Sequence, residues 1–300
     1  MVSFIILDHN SSMLTSQCVK SIRKYIEPHS YEIIIIDNGS HATEAAQLDT
    51  LASDDCHVTH CHINSGFGLG NQLGAHMARG QYLCFLNSDV ELTEDCITPL
   101  LTYLKKHPDT GCITPRQTKP EGRHSRSFRH HPGIRHELFG FTLFEKLNPQ
   151  KYPSRDIMPD VPFKVHQING SFMLFPAEKF WAIGGFDTNI FLYHEEYDLA
   201  MRLQRNDWTC IVYPQATFLH RHGVTISKTQ TKRDIRRELL ISHIYVYRKY
   251  HPLPYSFVFQ TILFIKHLFK PHRWYLIPIL LRGEALSCSL RHLPYIHVSR

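Results

Sequence analysis

Apolar positions along the chain fall into two kinds of run. Ser3–Leu7 and Tyr31–Asp37 (YEIIIID) are continuous and rich in β-branched residues, the pattern of parallel strands covered on both faces. His57–His62 and Tyr82–Leu86 are shorter strands of the same series. Between them, Met13–Tyr25 places Leu14, Cys18, Ile22 and Tyr25 on one side of a helix. Thr43–Leu51 and Gly70–Arg79 also read as helices, and Thr93–His107 reads as a helix with Thr93 as its N-cap and Pro108 as its stop. This alternation predicts βαβ units and an open, mostly parallel sheet in an α/β fold. The pattern resumes with a strand at Gln167–Pro176, a helix from Ala177, a turn at Gly184–Asp187, a helix at Tyr197–Asn206 and a strand at Thr209–Tyr213.

Two segments break the pattern. Residues 116–165, rich in Arg, His and Pro, lack periodicity and predict a long loop or insertion. Beyond Thr225, Thr231–Tyr250 is a basic helix, and Pro254–Phe269 and Trp274–Leu281 are apolar. The clean run before Lys266 is about 13 residues, short of the roughly 20 that a spanning helix needs. These segments read as interfacial amphipathic helices on a membrane surface, or else as helices packed on the main domain. The expected organisation is a catalytic domain over residues 1–225 and a basic helical extension over 226–300.

Composition changes this picture in one respect. The 300 residues are 43% hydrophobic and 20% charged, enough for a sizeable core. The net charge of +6 is unevenly placed. Residues 1–225 carry 20 basic and 24 acidic side chains, a net −4, whereas residues 226–300 carry 13 and 3, a net +10. Such a tail meets something anionic, and its aliphatic runs favour a membrane surface over nucleic acid. The eight cysteines form no CxxC and sit in apolar runs, as expected of reduced thiols in a cytoplasmic protein. MVSFIILDHN lacks the basic and apolar regions of a signal peptide.

Candidate chemistry gathers where an open sheet binds ligands, beyond the carboxyl ends of its strands. Asp37-Asn38-Gly39-Ser40 ends the isoleucine strand, with a carboxylate suited to a nucleobase or ribose, or simply to a turn. Asn64-Ser65-Gly66-Phe67-Gly68-Leu69-Gly70-Asn71 precedes a helix, where Gly66 and Gly68 permit close approach of a phosphate or form a tight loop. Asn71 stands where GxGxxG needs its third glycine, which weighs against a dinucleotide-binding oxidoreductase. Asn87-Ser88-Asp89 ends an apolar strand and offers a carboxylate to Mg²⁺ or Mn²⁺, or to a helix cap. Glu195, Glu196 and Asp198 crowd a helix start, which complements the helix dipole and also suits a general base. His220-Arg221-His222-Gly223 follows a strand and offers an imidazole to a metal.

In order and spacing, VSFIILDHN, IIIIDNGS, NSGFGLGNQLGAHMARG, YLCFLNSDVEL, INGSFMLFP, IGGFDTNIFLYHEEYDLAMRLQ and ATFLHRHGVT resemble family 2 glycosyltransferases of the GT-A fold. The chain is especially similar to bacterial rhamnosyltransferases of surface-polysaccharide assembly. The resemblance covers residues 2–225 and implies roles. Asp37 contacts the nucleotide base with Asn10 nearby; Asn38, Asn64, Gly66 and Gly68 shape the nucleotide pocket; Arg79 approaches the donor. Asn87-Ser88-Asp89 occupies the DxD position, with Asn87 in place of its first Asp. Asp89 and His220 are the implied ligands of Mn²⁺ or Mg²⁺, with His222 the lesser candidate. Glu196 is the implied base, and Glu195 the alternative. The implied reaction inverts a sugar from a nucleotide donor, foremost dTDP-L-rhamnose, onto a lipid-linked or polysaccharide acceptor. The implied place is the inner face of a bacterial plasma membrane. Intact Asp37, Asp89 and Glu196 weigh against an inactive scaffold of the same fold.

Overall fold

The computed structural model describes residues 1–221, 231–282 and 286–292. Strands β1 (Val2–Asp8), β2 (Tyr31–Asn38), β3 (Cys56–Cys61) and β4 (Tyr82–Asn87) alternate with helices α1 (Ser12–Tyr25), α2 (Ala42–Asp49) and α3 (Phe67–Met77). All eight residues of β2 are buried, as its unbroken isoleucine run requires. Next come β5 (Val90–Leu92), α4 (Ile97–Lys106), β6 (Thr110–Thr118), β7 (His124–Ser125), β8 (Phe128–Arg129), α5 (Ile134–Phe139) and α6 (Phe141–Leu147). The series closes with β9 (Phe163–Val165), β10 (Gln167–Ile168), β11 (Phe172–Pro176), α7 (Ala177–Ala182), α8 (Glu195–Gln204) and β12 (Thr209–His220). The main sheet runs β3-β2-β1-β4-β11-β6-β12-β5, and β8 pairs with β10 apart from it. Strands β1 to β4 are parallel, and β11 enters antiparallel between β4 and β6. Register aligns Asp8 with Asp37 and Leu7 with Asn87, so the candidate polar residues share one edge.

Alternate residues of each strand face opposite cores. Phe4, Ile6, Ile33, Ile35 and Leu86 pack with Cys18 and Ile22 of α1 and Leu100 of α4. Ile5, Leu83 and Phe85 face the other way, toward Ala75 of α3, Phe180 of α7 and Leu203 of α8. Phe85 sits edge-on to Phe175 and Phe186, a geometry favoured by the ring quadrupole. All eight cysteines are free thiols.

Four expectations need correction. The expected helix Thr93–His107 begins only at Ile97, because Asp95 Oδ1 accepts the N–H groups of Ile97 and Thr98 at 3.0 Å each; strand β5 precedes it. The expected strand Gln167–Pro176 breaks at Asn169-Gly170-Ser171 into β10 and β11. Residues 116–165 are not one long loop: they hold the end of β6, then β7, β8, α5, α6 and β9. Strand β12 also outruns its expected end, because a register shift between Tyr213 and Thr217 absorbs Pro214 before pairing resumes.

The basic helix Lys232–Tyr250 is capped by Thr231, whose Oγ1 accepts Asp234 N–H at 3.2 Å. It packs on the sheet domain. Ser242 Oγ donates to Leu192 O at 2.8 Å, and Lys249 Nζ donates to both Asp187 and Asp198 at 2.6 Å. The apolar helix Leu253–Leu268 follows, then a 3₁₀ turn at Pro271–Leu276 and a short helix Ile277–Arg282. Their inner faces form a core of their own around Tyr247, Phe259, Leu263 and Leu280. Among the described residues no helix is long and apolar enough to cross a membrane. The expected boundary at Thr225, with His222 and Gly223, lies outside the described residues.

Candidate active site

A cleft of about 310 Å³ opens at the carboxyl edge of β1, β2 and β4. Asn38, Asn64, Asn87, Asp89, Glu195, Glu196 and His220 all line it, although up to 182 positions separate them in the chain (38 to 220). Its size suits a small ligand.

Asp89 follows β4, and His220 ends β12. Antiparallel pairing of β5 with β12 puts His220 opposite Val90, so the two side chains meet. His220 Nε2 lies 2.9 Å from Asp89 Oδ1, and Arg221 N–H donates to Asp89 O at 3.0 Å. Both side chains are buried. One carboxylate and one imidazole form an incomplete set for a divalent cation. Among the described residues no third His, Cys, Asp or Glu completes a group of three. Phosphate oxygens of a ligand complete such a set, and the imidazole suits Mn²⁺ better than the all-oxygen shell of Mg²⁺. The residues present therefore fit a cation that arrives with a diphosphate.

Glu195 and Glu196 open α8 in different surroundings. Glu195 is 2% exposed, and burial first, then the charge of Glu196, pushes its carboxyl well above the usual range. Burial thus favours the neutral form of Glu195. Glu196 is half-buried and accepts Gly170 N–H at 2.9 Å through Oε1. A Cβ on Gly170 would stand 2.8 Å from that oxygen, so the glycine is what admits the carboxylate. Asp198, the third acid, belongs to the scaffold: Arg202, Lys249 and Tyr250 hold it.

The turn before α8 is unusual. Tyr193 and His194 have φ of 70° and 68°, left-handed values that side chains other than glycine rarely adopt. His194 stacks on His243 of the basic helix at 4.5 Å, and Ser242 holds Leu192 from the same helix. The extension thereby braces the turn that presents Glu195 and Glu196.

The other expected residues divide. Asn38 is a clamp: its amide nitrogen donates to Asn64 Oδ1 at 3.0 Å and Gly66 O at 3.1 Å, and its oxygen accepts from Ser65. Gly66, at φ 88°, lies against the Phe191 carbonyl, where a Cβ would overlap. Gly68 faces the carbonyls of Asp187 and Ile190. These glycines let the loop dock on the segment before α8. Asp37 does not line the cleft: it is buried, with one oxygen on Ser40 N–H at 2.9 Å and the other 2.8 Å from His60 Nδ1. Asn10 Oδ1 accepts His41 N–H at 2.8 Å beside it. Arg79 is a correction. It pairs with buried Glu32 at 2.9 Å, near Ser3 and Gly80, where β1 and β2 begin and at the opposite edge from the cleft. The chain turns there from α3 into β4, so Arg79 cannot face the site.

Sequence reasoning assigned no role to several lining residues: Asp8, Ser88, Gln117, Arg129, Asn169, Gly170 and Ser171. Turn chemistry at Asn169-Gly170, inside an otherwise apolar run, was a visible signal of the β10–β11 break. Gln117 gave none; it lines the cleft because Ser125 and Ser171 fix its amide.

The sequence model described as "Glycosyl transferase family 2" matches residues 3–184. Rhamnosyltransferase WbbL of Escherichia coli (strain K12) is 27% identical over 217 residues, covering 68% of this chain and 76% of its own. An N-acetylglucosaminyl-diphospho-decaprenol L-rhamnosyltransferase of Mycobacterium tuberculosis (strain ATCC 25618 / H37Rv) is 28% identical over 148 residues, 45% of each chain. Among solved structures, GalNAc-T7 with UDP, GalNAc and Mn²⁺ superposes at TM-score 0.66 and 14% identity, over 96% of this chain and 57% of that one. Staphylococcus aureus TarS 1–349 superposes at 0.54 and 13%, over 95% and 88%. These structural likenesses bear on the fold, which is of the GT-A type.

Proposed function

The chain belongs to glycosyl transferase family 2, and from that premise we propose an inverting transfer of L-rhamnose from a dTDP donor to a hydroxyl of a lipid-linked glycan. The observation that carries this reading is the meeting of Glu196, seated on Gly170 N–H, with the Asp89–His220 pair in one cleft. Glu196 takes the proton of the acceptor hydroxyl through the oxygen that Gly170 leaves open. That hydroxyl oxygen attacks the anomeric carbon from the face opposite the nucleoside diphosphate. Asp89 and His220 would hold Mn²⁺ or Mg²⁺, which supplies positive charge to the departing diphosphate. Asn38, Asn64 and Asn87, which line the cleft, hold the nucleotide in this reading; Asp37 and Asn10 both bond to Ser40 near Asn38. Glu195, kept neutral, adds no second negative charge beside the leaving group. The two relatives named above are rhamnosyltransferases, and one acts on a diphospho-decaprenol acceptor. That supports the donor sugar and the acceptor class. The protein works as a peripheral enzyme on the inner face of the plasma membrane, held by its +10 extension.

A donor screen by thermal shift with Mn²⁺ tests the reading. dTDP-L-rhamnose raises the melting temperature more than UDP- or GDP-sugars do, and Asp89→Ala removes the Mn²⁺-dependent part of that shift. An unchanged Mn²⁺-dependent shift in Asp89→Ala overturns the ligand assignment.

A further inference from the structure

A second cavity, about 1070 Å³, adjoins the first and shares Arg129, Asn169, Glu196 and His220 with it. Its outer wall is built by Pro132, Glu137 and Phe141 from the insertion and by Leu239 and His243 from the basic helix. Those walls lead to a surface of unusual character. The apolar helix Leu253–Leu268 buries Ser256, Phe259, Gln260, Leu263 and His267 on one side. The opposite side of a packed helix should be polar. Here it carries exposed Leu253, Phe257, Val258, Ile265 and Leu268. The insertion repeats the anomaly: Leu138, Phe139, Leu143 and Leu147 of α5 and α6 are exposed, Phe139 at 63% and Leu147 at 72%. The two sets are joined. Ile134 packs into the helical core, and Lys266 Nζ donates to Glu137 O at 2.7 Å and Oε2 at 2.6 Å. Exposed Lys146, Lys151, Lys270 and Arg282 lie on the same elements or next to them.

We infer that α5–α6 and the apolar helix form a single docking face for an anionic bilayer, and that the second cavity is the portal through which a lipid-linked acceptor reaches Glu196 from that bilayer. Apolar patches of this extent mark an interaction surface. The fringe of Lys and Arg, with the +10 of residues 226–300, selects anionic lipid as the occupant. No described helix crosses a bilayer, so the face lies on it. Glu196 lines this cavity, and its walls include Glu137 of α5 and Phe141 of α6 from the docking face, with Leu239 and His243 of the basic helix. A sugar at the head of a lipid thus reaches the base without leaving the membrane. The portal rests on the transfer reading above; the docking face does not.

The test uses the full chain with vesicles of phosphatidylcholine, with and without phosphatidylglycerol, and no sugar donor. The wild type co-sediments with the phosphatidylglycerol vesicles. Phe139→Ser/Leu147→Ser, and separately Phe257→Ser/Leu268→Ser, lower the bound fraction roughly tenfold or more. All four residues are exposed, so both variants keep the circular dichroism and donor-induced thermal shift of the wild type. With donor added, Phe139→Ser/Leu147→Ser retains transfer to a short-chain soluble acceptor and loses transfer to the same head group on a long lipid in vesicles. Retained vesicle binding by Phe139→Ser/Leu147→Ser overturns the shared face. So does a vesicle-free dimer that this variant dissociates, which would assign the face to a second copy. Equal loss of transfer to both acceptors overturns the portal. A wild type that binds vesicles in this way and transfers to no acceptor overturns the transfer reading and leaves the docking face standing.

Discussion

Glu195 and Glu196 are neighbours in sequence with opposite chemistry. Burial favours the neutral form of Glu195, whereas Glu196 faces the cleft from Gly170 N–H. An amide mimics a neutral carboxyl but cannot accept a proton. Glu195→Gln should therefore keep most of the turnover, while Glu196→Gln lowers it by about 10²–10⁴-fold with donor affinity unchanged. The reverse ranking would move the base to Glu195. Gly170→Ala probes the same seat. Its Cβ would stand 2.8 Å from Glu196 Oε1 and displace the carboxylate. The expected result is a lower kcat with unaltered donor binding; an unchanged kcat would show that the Gly170 contact does not position the base.

At the scale of elements, the insertion carries the clearest pH dependence. The rings of His130 and His131 of the insertion each lie 5.2 Å from that of His166, just beyond it, and burial leads in pushing the three down to about 4, 3 and 4. A histidine with a lowered folded value binds its proton more readily when unfolded. Stability is therefore full above the unfolded value near 6.5 and falls as pH drops from there toward 4. Asp8 and Glu195, raised by burial, act in the opposite sense. Both are common to wild type and variant, so comparing the two isolates one ring. His131→Phe should melt near the wild type at pH 7.5 and progressively above it as pH falls to 5. A constant difference across that range would contradict the assignment. The insertion is also where the sequence was least legible. Strands β1, β2 and β4 and helix α1 announce themselves because each has one period and one or two buried faces. The pieces of 116–165 are short, and side-chain clusters such as His130 with Glu145 and Arg155 hold them in place of a periodic apolar stripe. The glycine loop was visible as a loop, yet the partner of Gly66, the carbonyl of Phe191, lies 125 residues away (66 to 191) and leaves no trace nearby. Asp89, His220 and Glu196 were readable as a set only through the order of motifs. Arg79 was misplaced because nothing local reveals which end of the sheet a helix C-terminus meets.

At the scale of the molecule, the basic helix links the cleft to the elements of the proposed docking face. It stacks His243 on His194 behind the Glu195–Glu196 turn and joins the apolar helix that faces outward. The unequal charge of the chain follows this division, with the acidic-leaning sheet domain holding the cleft and the basic extension bracing it from behind. The central claim is a single displacement at the anomeric carbon, with Glu196 as base. The stereochemistry of the product tests it most directly. Nuclear magnetic resonance of the glycan formed by the wild-type chain from dTDP-L-rhamnose, Mn²⁺ and a lipid-linked acceptor reads the anomeric configuration. One displacement from the face opposite the leaving group requires complete inversion relative to the donor; a product that retains the donor's configuration would contradict the mechanism.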